Sequence, residues 1–548
     1  MRARILIRRA LTVAAFAICG IVAWGASSAW AADVSCDATP TDNDIKQYIA
    51  DHDGVGDTLD PTVTLGGTAS DPCTYEFGTG ANDTPITLVP GMTLDGAGVD
   101  RTIIDGIDKG DGNGVDSVCI DGSADGTTAS PIGVEGLELK RCEVALDIGD
   151  NWEIGKNSSG SRGAVQIFNN RMGIVAGSAN PSEDTVINDV EFDENDCQAF
   201  HGALRDTSAG PRAMLANSDF GLLDGDSVGD GDGTATNCDE VLGDPDNIAA
   251  TKFIDGDFTS GGQQPLICGN DFRNAIGFTD ATGLHGGHGL WVDEGLEDVS
   301  TDSGYLIVGN RAKGNANTGI RIEVSDGVTV GASGNVACAE QTIDASNFVN
   351  DNDGLAGAGV VVRLSSNVVV TENEIDHTGV SNGNRLLEVF WAARDLDKSV
   401  DSDAGDSDND PSTPNAEDDC HPSSDPPLSD HCEVTTGNLI DDNSVNLSNS
   451  ASKVAGFKIL DGGAFSSAVF TGNDFVDNDY CDALANGTDH FKWVDADGNP
   501  AEVAAAWVPD GSEVDWNGSG TQPYDDDAGA SFTTGTTCVN KGAFRVAS

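Results

Sequence analysis

The sequence predicts an all-β fold: a right-handed parallel β-helix with a short N-terminal capping helix and a C-terminal cap. Three observations carry this. Helical periodicity is nearly absent along the 548 residues. Short β-branched runs recur, separated by Gly, Pro or Asn. The middle of the chain repeats a strand-then-Asn ending, and Asn310 and Asn335 stand 25 residues apart, close to the length of one three-strand coil.

The elements follow in order. Residues 1–31 read as a signal peptide: Arg2, Arg4, Arg8 and Arg9 precede an apolar run from Leu11 to Trp24, and Ala29-Trp30-Ala31 is an A-x-A cleavage site. Residues 32–84 are the cap and first coils, with Ile45, Tyr48 and Ile49 on one face of a helix at the open end of the solenoid. Residues 85–394 are the β-helix proper, from Ile86-Thr87-Leu88-Val89 onward. Residues 395–432 break the pattern with an acidic, Pro-containing loop. Residues 433–478 carry the last coils, and 479–548 form a tail holding Trp493, Trp507 and Trp516 that closes the final coil. Asn310, Asn335, Asn373 and Asn473 are expected to form an internal side-chain ladder.

The charge narrows the function. A net charge of −63 repels nucleic acid and anionic lipid, so neither is an expected partner. Such acidity suits either a saline habitat or divalent-cation binding. The 13 cysteines fit export: Cys19 lies in the leader, and the other 12 are an even number for an oxidising compartment. Short separations suggest Cys36–Cys73, Cys119–Cys142, Cys420–Cys432 and Cys481–Cys538. The expected setting is secreted or at the cell surface, with no membrane span once the leader is cleaved.

Strand alternation sorts the faces of three coils. Leu290/Val292, Ile320/Ile322 and Val360/Val362 share the inward parity, leaving Trp291, Arg321 and Val361 outside, followed by Asp293, Glu323 and Arg363. In register, Asp293, Glu323 and Arg363 stack about 5 Å apart. The candidate catalytic residues are Asp293, Glu323, Arg363 and His288, with Trp291 and Arg321 as substrate-binding residues. An aromatic platform suits a sugar ring, an arginine neutralises a uronate, and paired carboxylates serve as acid and base or hold Ca²⁺. The same pattern on a solvated face gives only weak ion pairs. His285-Gly286-Gly287-His288 also offers two imidazoles three residues apart, a sparse metal motif.

Gly287-His288-Gly289 followed by Arg321-Ile322-Glu323 is similar to the Gly-His-Gly and Arg-Ile-Lys motifs of polygalacturonases. That resemblance implies a catalytic role for His288 and a substrate contact for Arg321. Glu323 stands where the family has Lys, and Leu266-Ile267-Cys268-Gly269 stands where its paired aspartates are expected. Inverting hydrolysis lacks its acid and base here. More broadly, the stretch from Pro85 to Asn473 resembles secreted bacterial β-helix repeat proteins of the pectin-lyase-like fold, through His288-Gly289-Leu290-Trp291-Val292-Asp293, Gly319-Ile320 and Ala358-Gly359-Val360. This implies fold and export without fixing a substrate.

One acidic motif remains. Asp406, Asp408, Asp410 and Glu417 have calcium-loop spacing, with Pro411 where the sharp turn takes glycine. The expectation is therefore a secreted β-helix protein that binds or acts on extracellular polysaccharide, as a uronan lyase or epimerase-like enzyme with Ca²⁺ as its candidate cofactor. The alternative is a non-catalytic cell-surface or matrix β-helix protein that binds glycans or serves as a rigid spacer.

Overall fold

In the computed structural model the protein is a right-handed parallel β-helix. The structure describes most of residues 33–376 and, beyond 385, chiefly the strands; residues 1–32, 222–250, 294–303, 396–431 and other connecting segments lie outside the described residues. Three long sheets run its length, with 14, 13 and 12 strands among the described residues. Each sheet takes every third strand in the first coils, the mark of a chain that visits three faces per turn.

A ten-residue helix, α1 (Asp42–Asp51), sits at the start. The Asp44 carboxylate accepts a 2.7 Å hydrogen bond from the Thr41 N–H, holding its first turn. Ile45 and Ile49 enter the main core and Tyr48 packs against it, so the helix covers apolar surface that an open coil would expose. At the other end the direction of pairing changes. Trp507–Pro509 and Phe544–Val546 add antiparallel strands to the first sheet, and Cys538–Asn540 adds one to the second.

The core is built by stacking like on like. Phe192, Phe220 and Phe272 occupy one register row, with ring centroids 4.6 Å apart at each step. At the corner between the first and second sheets Asn270, Asn310, Asn347, Asn373 and Asn443 form a ladder. Each Nδ2–H donates to the next Oδ1 at 2.9–3.1 Å. The residue before three of the ladder positions turns left-handed: Gly269 and Gly309 do so at φ +68° and +63°, and Glu372 takes the same conformation at +56°.

Asn335 is not part of this ladder. It opens an exposed antiparallel hairpin, Asn335–Cys338 with Gln341–Asp344, inserted before the next strand. The insertion moves the ladder position to Asn347, 37 residues after Asn310. The 25-residue spacing is thus a coincidence of loop length. Asn473 lies outside the described residues.

That hairpin folds over the outer face of the first sheet. Val336, Ala339 and Ile343 pack with Leu266, Cys268 and Val308 in a second apolar cluster, and Cys268–Cys338 bridges hairpin to sheet. The bridge was not among the expected pairs, which its separation of 70 residues explains. Cys36–Cys73 and Cys119–Cys142 form as spacing predicts. Cys481 and Cys538 are register partners, while Cys420 lies outside the described residues. Arg394–Asp395 pairs antiparallel with Cys432–Glu433, which brings the ends of segment 395–432 together.

Candidate functional site

The site lies on the outer face of the third sheet. Its strands are β1 (Gln198–Gly202), β2 (Thr251–Ile254), β3 (Leu290–Asp293), β4 (Thr318–Glu323), β5 (Ala358–Arg363) and β6 (Arg385–Trp391). Leu290, Val292, Ile320, Ile322, Val360 and Val362 are buried in the core as alternation predicts. One outer row runs His201, Lys252, Trp291, Arg321, Val361 and Glu388. A second runs Ile254, Asp293, Glu323 and Arg363 at the strand ends. The register therefore brings Asp293, Glu323 and Arg363 onto successive coils, spaced about 4.8 Å apart.

These outer positions are not solvated. Lys252, His288, Trp291, Asp293 and Glu323 are each exposed by 6% or less. Within this enclosure Lys252 Nζ lies 3.0 Å from Asp293 Oδ2 and 4.6 Å from the Trp291 ring centroid. Arg321 covers the same ring from the next coil, its Cζ also 4.6 Å from the centroid. Arg321 Nη1 donates to His288 Nε2 at 2.9 Å, and Arg321 Nη2 pairs with Glu323 Oε2 on its own strand. The His288 and Trp291 ring centroids are 5.2 Å apart. Both carboxylates thus already hold a cation, Asp293 that of Lys252 and Glu323 that of Arg321. For Arg363 the backbone register alone is described.

Burial, followed by the charges of Arg321 and Lys252, drives the His288 pKa well below its ordinary value. The imidazole is neutral, and its Nε2 lone pair is occupied by an arginine that can only donate. His288 Nδ1, Trp291 Nε1 and Arg321 Nε are buried without a hydrogen-bond partner among the described residues. Each such group costs about 1–3 kcal/mol.

Sequence reading missed Lys252 and His201. His201 lies one coil before Lys252, with Nδ1 2.6 Å from Gln198 Oε1. Burial first, then the Lys252 ammonium, lower its pKa to about 4. The usable signal is the alternation Thr251-Lys252-Phe253, where Phe253 is core and Lys252 is not; the acidic stretch before it conceals the coil. His285 falls in a short strand, Leu284–His285, paired antiparallel with Phe278–Thr279. Asp406, Asp408, Asp410 and Glu417 lie outside the described residues, among which no group of three or more His, Cys, Asp or Glu could hold a metal ion. No helix among them is long and apolar enough to cross a membrane.

Fold and site together define a parallel β-helix protein with a closed charged cluster on one outer face. No protein-family model and no curated protein matches the chain. Among solved structures it is similar to the A-module of Azotobacter vinelandii mannuronan C-5 epimerase AlgE4, at 15% identity and a TM-score of 0.45, covering 84% of this chain and 97% of that one. The AlgE6 A-module of the same organism aligns at 14% identity and a TM-score of 0.43, over 84% and 97% of the two chains. PfbA, a surface adhesin of Streptococcus pneumoniae, aligns at 11% and 0.34, over 85% and 92%.

Proposed function

We propose that the outer face around Trp291 holds an extracellular polysaccharide, and that the protein acts there on a uronan as a lyase or epimerase. The carrying observation is the burial of Lys252, Trp291, Asp293 and Glu323 at strand positions whose parity faces away from the core, with His288 buried beside them. A rigid spacer gains nothing from desolvating charges on its surface, since each costs free energy to remove from water. A site that handles a charged sugar gains, because electrostatic interactions strengthen where water is excluded.

In this reading Trp291 becomes the sugar platform when Arg321 and Lys252, which cover its ring and pair with Glu323 and Asp293, turn to a uronate carboxylate and supply its positive field. That field stabilises the carbanion formed when the proton beside the carboxylate is removed. Asp293 and Glu323 are the carboxylates within reach of that chemistry, and Arg363 follows in register. In elimination the carbanion's electron pair forms a C=C bond, the glycosidic C–O bond on the next carbon breaks and the departing oxygen takes up a proton; in epimerisation the carbanion takes up a proton on its opposite face. Should Ca²⁺ take part, Asp406, Asp408, Asp410 and Glu417 are its proposed ligands.

A second reading has its own support. Asp293 and Glu323 each already engage a cation, as residues of a non-catalytic glycan-binding surface would. The two separate on one experiment: purified protein incubated with pectate, alginate and other uronans, with and without Ca²⁺. The enzyme reading expects unsaturated ends or altered sugar configuration, lost in Asp293→Ala and Glu323→Ala. Binding with no product supports the second reading. No product and no binding refutes both.

A further inference from the structure

We infer that His288, Trp291 and Arg321 form a receptor for a single oxyanion, and that its ligand is the carboxylate of one uronate residue. The inference rests on the glycan site proposed above and assigns what that site reads. Arg321 Nη1 donates to His288 Nε2 at 2.9 Å. A guanidinium has no acceptor, so that imidazole nitrogen carries the lone pair and the single proton sits on Nδ1. His288 is therefore a fixed N–H donor, unavailable through Nε2 as a base or metal ligand.

Three buried donors remain without an acceptor: His288 Nδ1–H, Trp291 Nε1–H and Arg321 Nε–H. They belong to side chains in mutual contact, through the His288–Trp291 ring pair and the guanidinium over the indole. All three lack acceptor capacity, so a ligand that completes them must bring several lone pairs to one place. A carboxylate does so, with two oxygens and about four acceptor sites. Lys252 Nζ, 4.6 Å from the same indole, is balanced by Asp293 at 3.0 Å as Arg321 is by Glu323, so recognition here rests on the three N–H groups and not on surplus charge. The Arg321 side chain is 17% exposed and is the edge by which the cluster meets solvent. A site whose buried donors require acceptors discriminates strongly against a sugar that lacks them.

The test is calorimetric binding of a trimeric uronate and of the same trimer with its carboxylates reduced to hydroxymethyl groups. Wild-type protein is expected to prefer the acidic trimer by tenfold or more. Trp291→Phe, which keeps the ring and removes the N–H, and Arg321→Lys, which keeps the charge and removes Nε–H, each shrink that preference by about tenfold. Nitrogen NMR of the wild-type protein supplies a readout that needs no variant. The His288 Nδ1–H signal shifts with the acidic trimer and stays put with the reduced one. Equal affinity of wild type for the two trimers, an unchanged preference in both variants, or an unmoved Nδ1–H signal overturns the receptor while leaving glycan binding intact. Failure of wild type to bind either trimer overturns the underlying site as well.

Discussion

Replacing Lys252 with methionine tests the closed cluster most directly. Its ammonium lies 3.0 Å from Asp293 Oδ2, with side-chain exposures of 2% and 6%. Removing one partner of a buried ion pair costs about 3–5 kcal/mol, because the other charge stays desolvated. The contact with the Trp291 ring adds roughly 0.5–2 kcal/mol. Methionine returns part of this through apolar packing, so we expect Lys252→Met to destabilise the protein by about 4 kcal/mol. Adding Asp293→Asn removes the orphaned charge, and the double variant should recover about half of the loss. The same substitution acts on the histidines. Lys252 helps hold down the pKa of both His201 and His288, so each should rise in Lys252→Met, His201 from about 4. Urea denaturation of wild type, both single variants and the double variant gives the coupling, and NMR titration follows His201. A loss under ~1 kcal/mol, additive single effects, or an unmoved His201 titration would refute the network.

Four further outcomes are expected. Burial and the Lys252 ammonium lower the folded-state pKa of His201 from its ordinary 6.5 to about 4, so the unfolded chain binds more protons between those limits. Thermal stability should therefore fall as pH drops through that window, with a shallower slope in His201→Gln; an opposite slope contradicts the assignment. Cys338→Ser opens a bridge spanning 70 residues and should cost about 4 kcal/mol, with new proteolytic cleavage at the 335–344 hairpin. Asn310→Leu strips acceptors from the Asn270 N–H and Nδ2–H and a donor from the Ile267 carbonyl, costing roughly 3 kcal/mol or more, whereas exposed Asn335→Ala should stay within ~0.5 kcal/mol by the same denaturation assay. Affinity for an acidic uronan, measured from ~0.01 to ~0.15 M salt, should rise with salt, and a steep fall would contradict the charge layout.

The coil pattern was legible because strand alternation and the Asn endings are local. Leu290/Val292, Ile320/Ile322 and Val360/Val362 need only parity to be sorted, and the structure buries all six. The helix at Ile45 and two near-neighbour disulfides were legible for the same reason. What escaped depends on insertions. The hairpin at 335–344 displaces the ladder to Asn347, and nothing local to Asn335 signals it. Lys252 enters the site only through pairing of β2 with β3, after a long stretch that hides the period. Burial of the outer face was likewise invisible, since alternation marks Trp291 and Asp293 as outward and says nothing of what lies above them.

The charge layout gives the site its meaning. A chain with net charge −63 presents a repulsive field to any acidic polymer. Against that background the third sheet collects Lys252, Arg321, Arg363, Arg385, Lys458 and Lys492 at register positions along one stack of strands, although only 28 residues in the chain are Lys or Arg. The two fields act over different distances. Exposed acids repel over roughly a Debye length, ~10 Å at 0.1 M salt, and ions erase that repulsion. The buried contacts among Lys252, Trp291, Arg321 and His288 act at hydrogen-bond range, where dissolved ions do not enter. Added salt should therefore remove the barrier to approach and spare the attraction on arrival. On the proposed function, that combination lets an acidic protein take an acidic ligand more readily as salt rises.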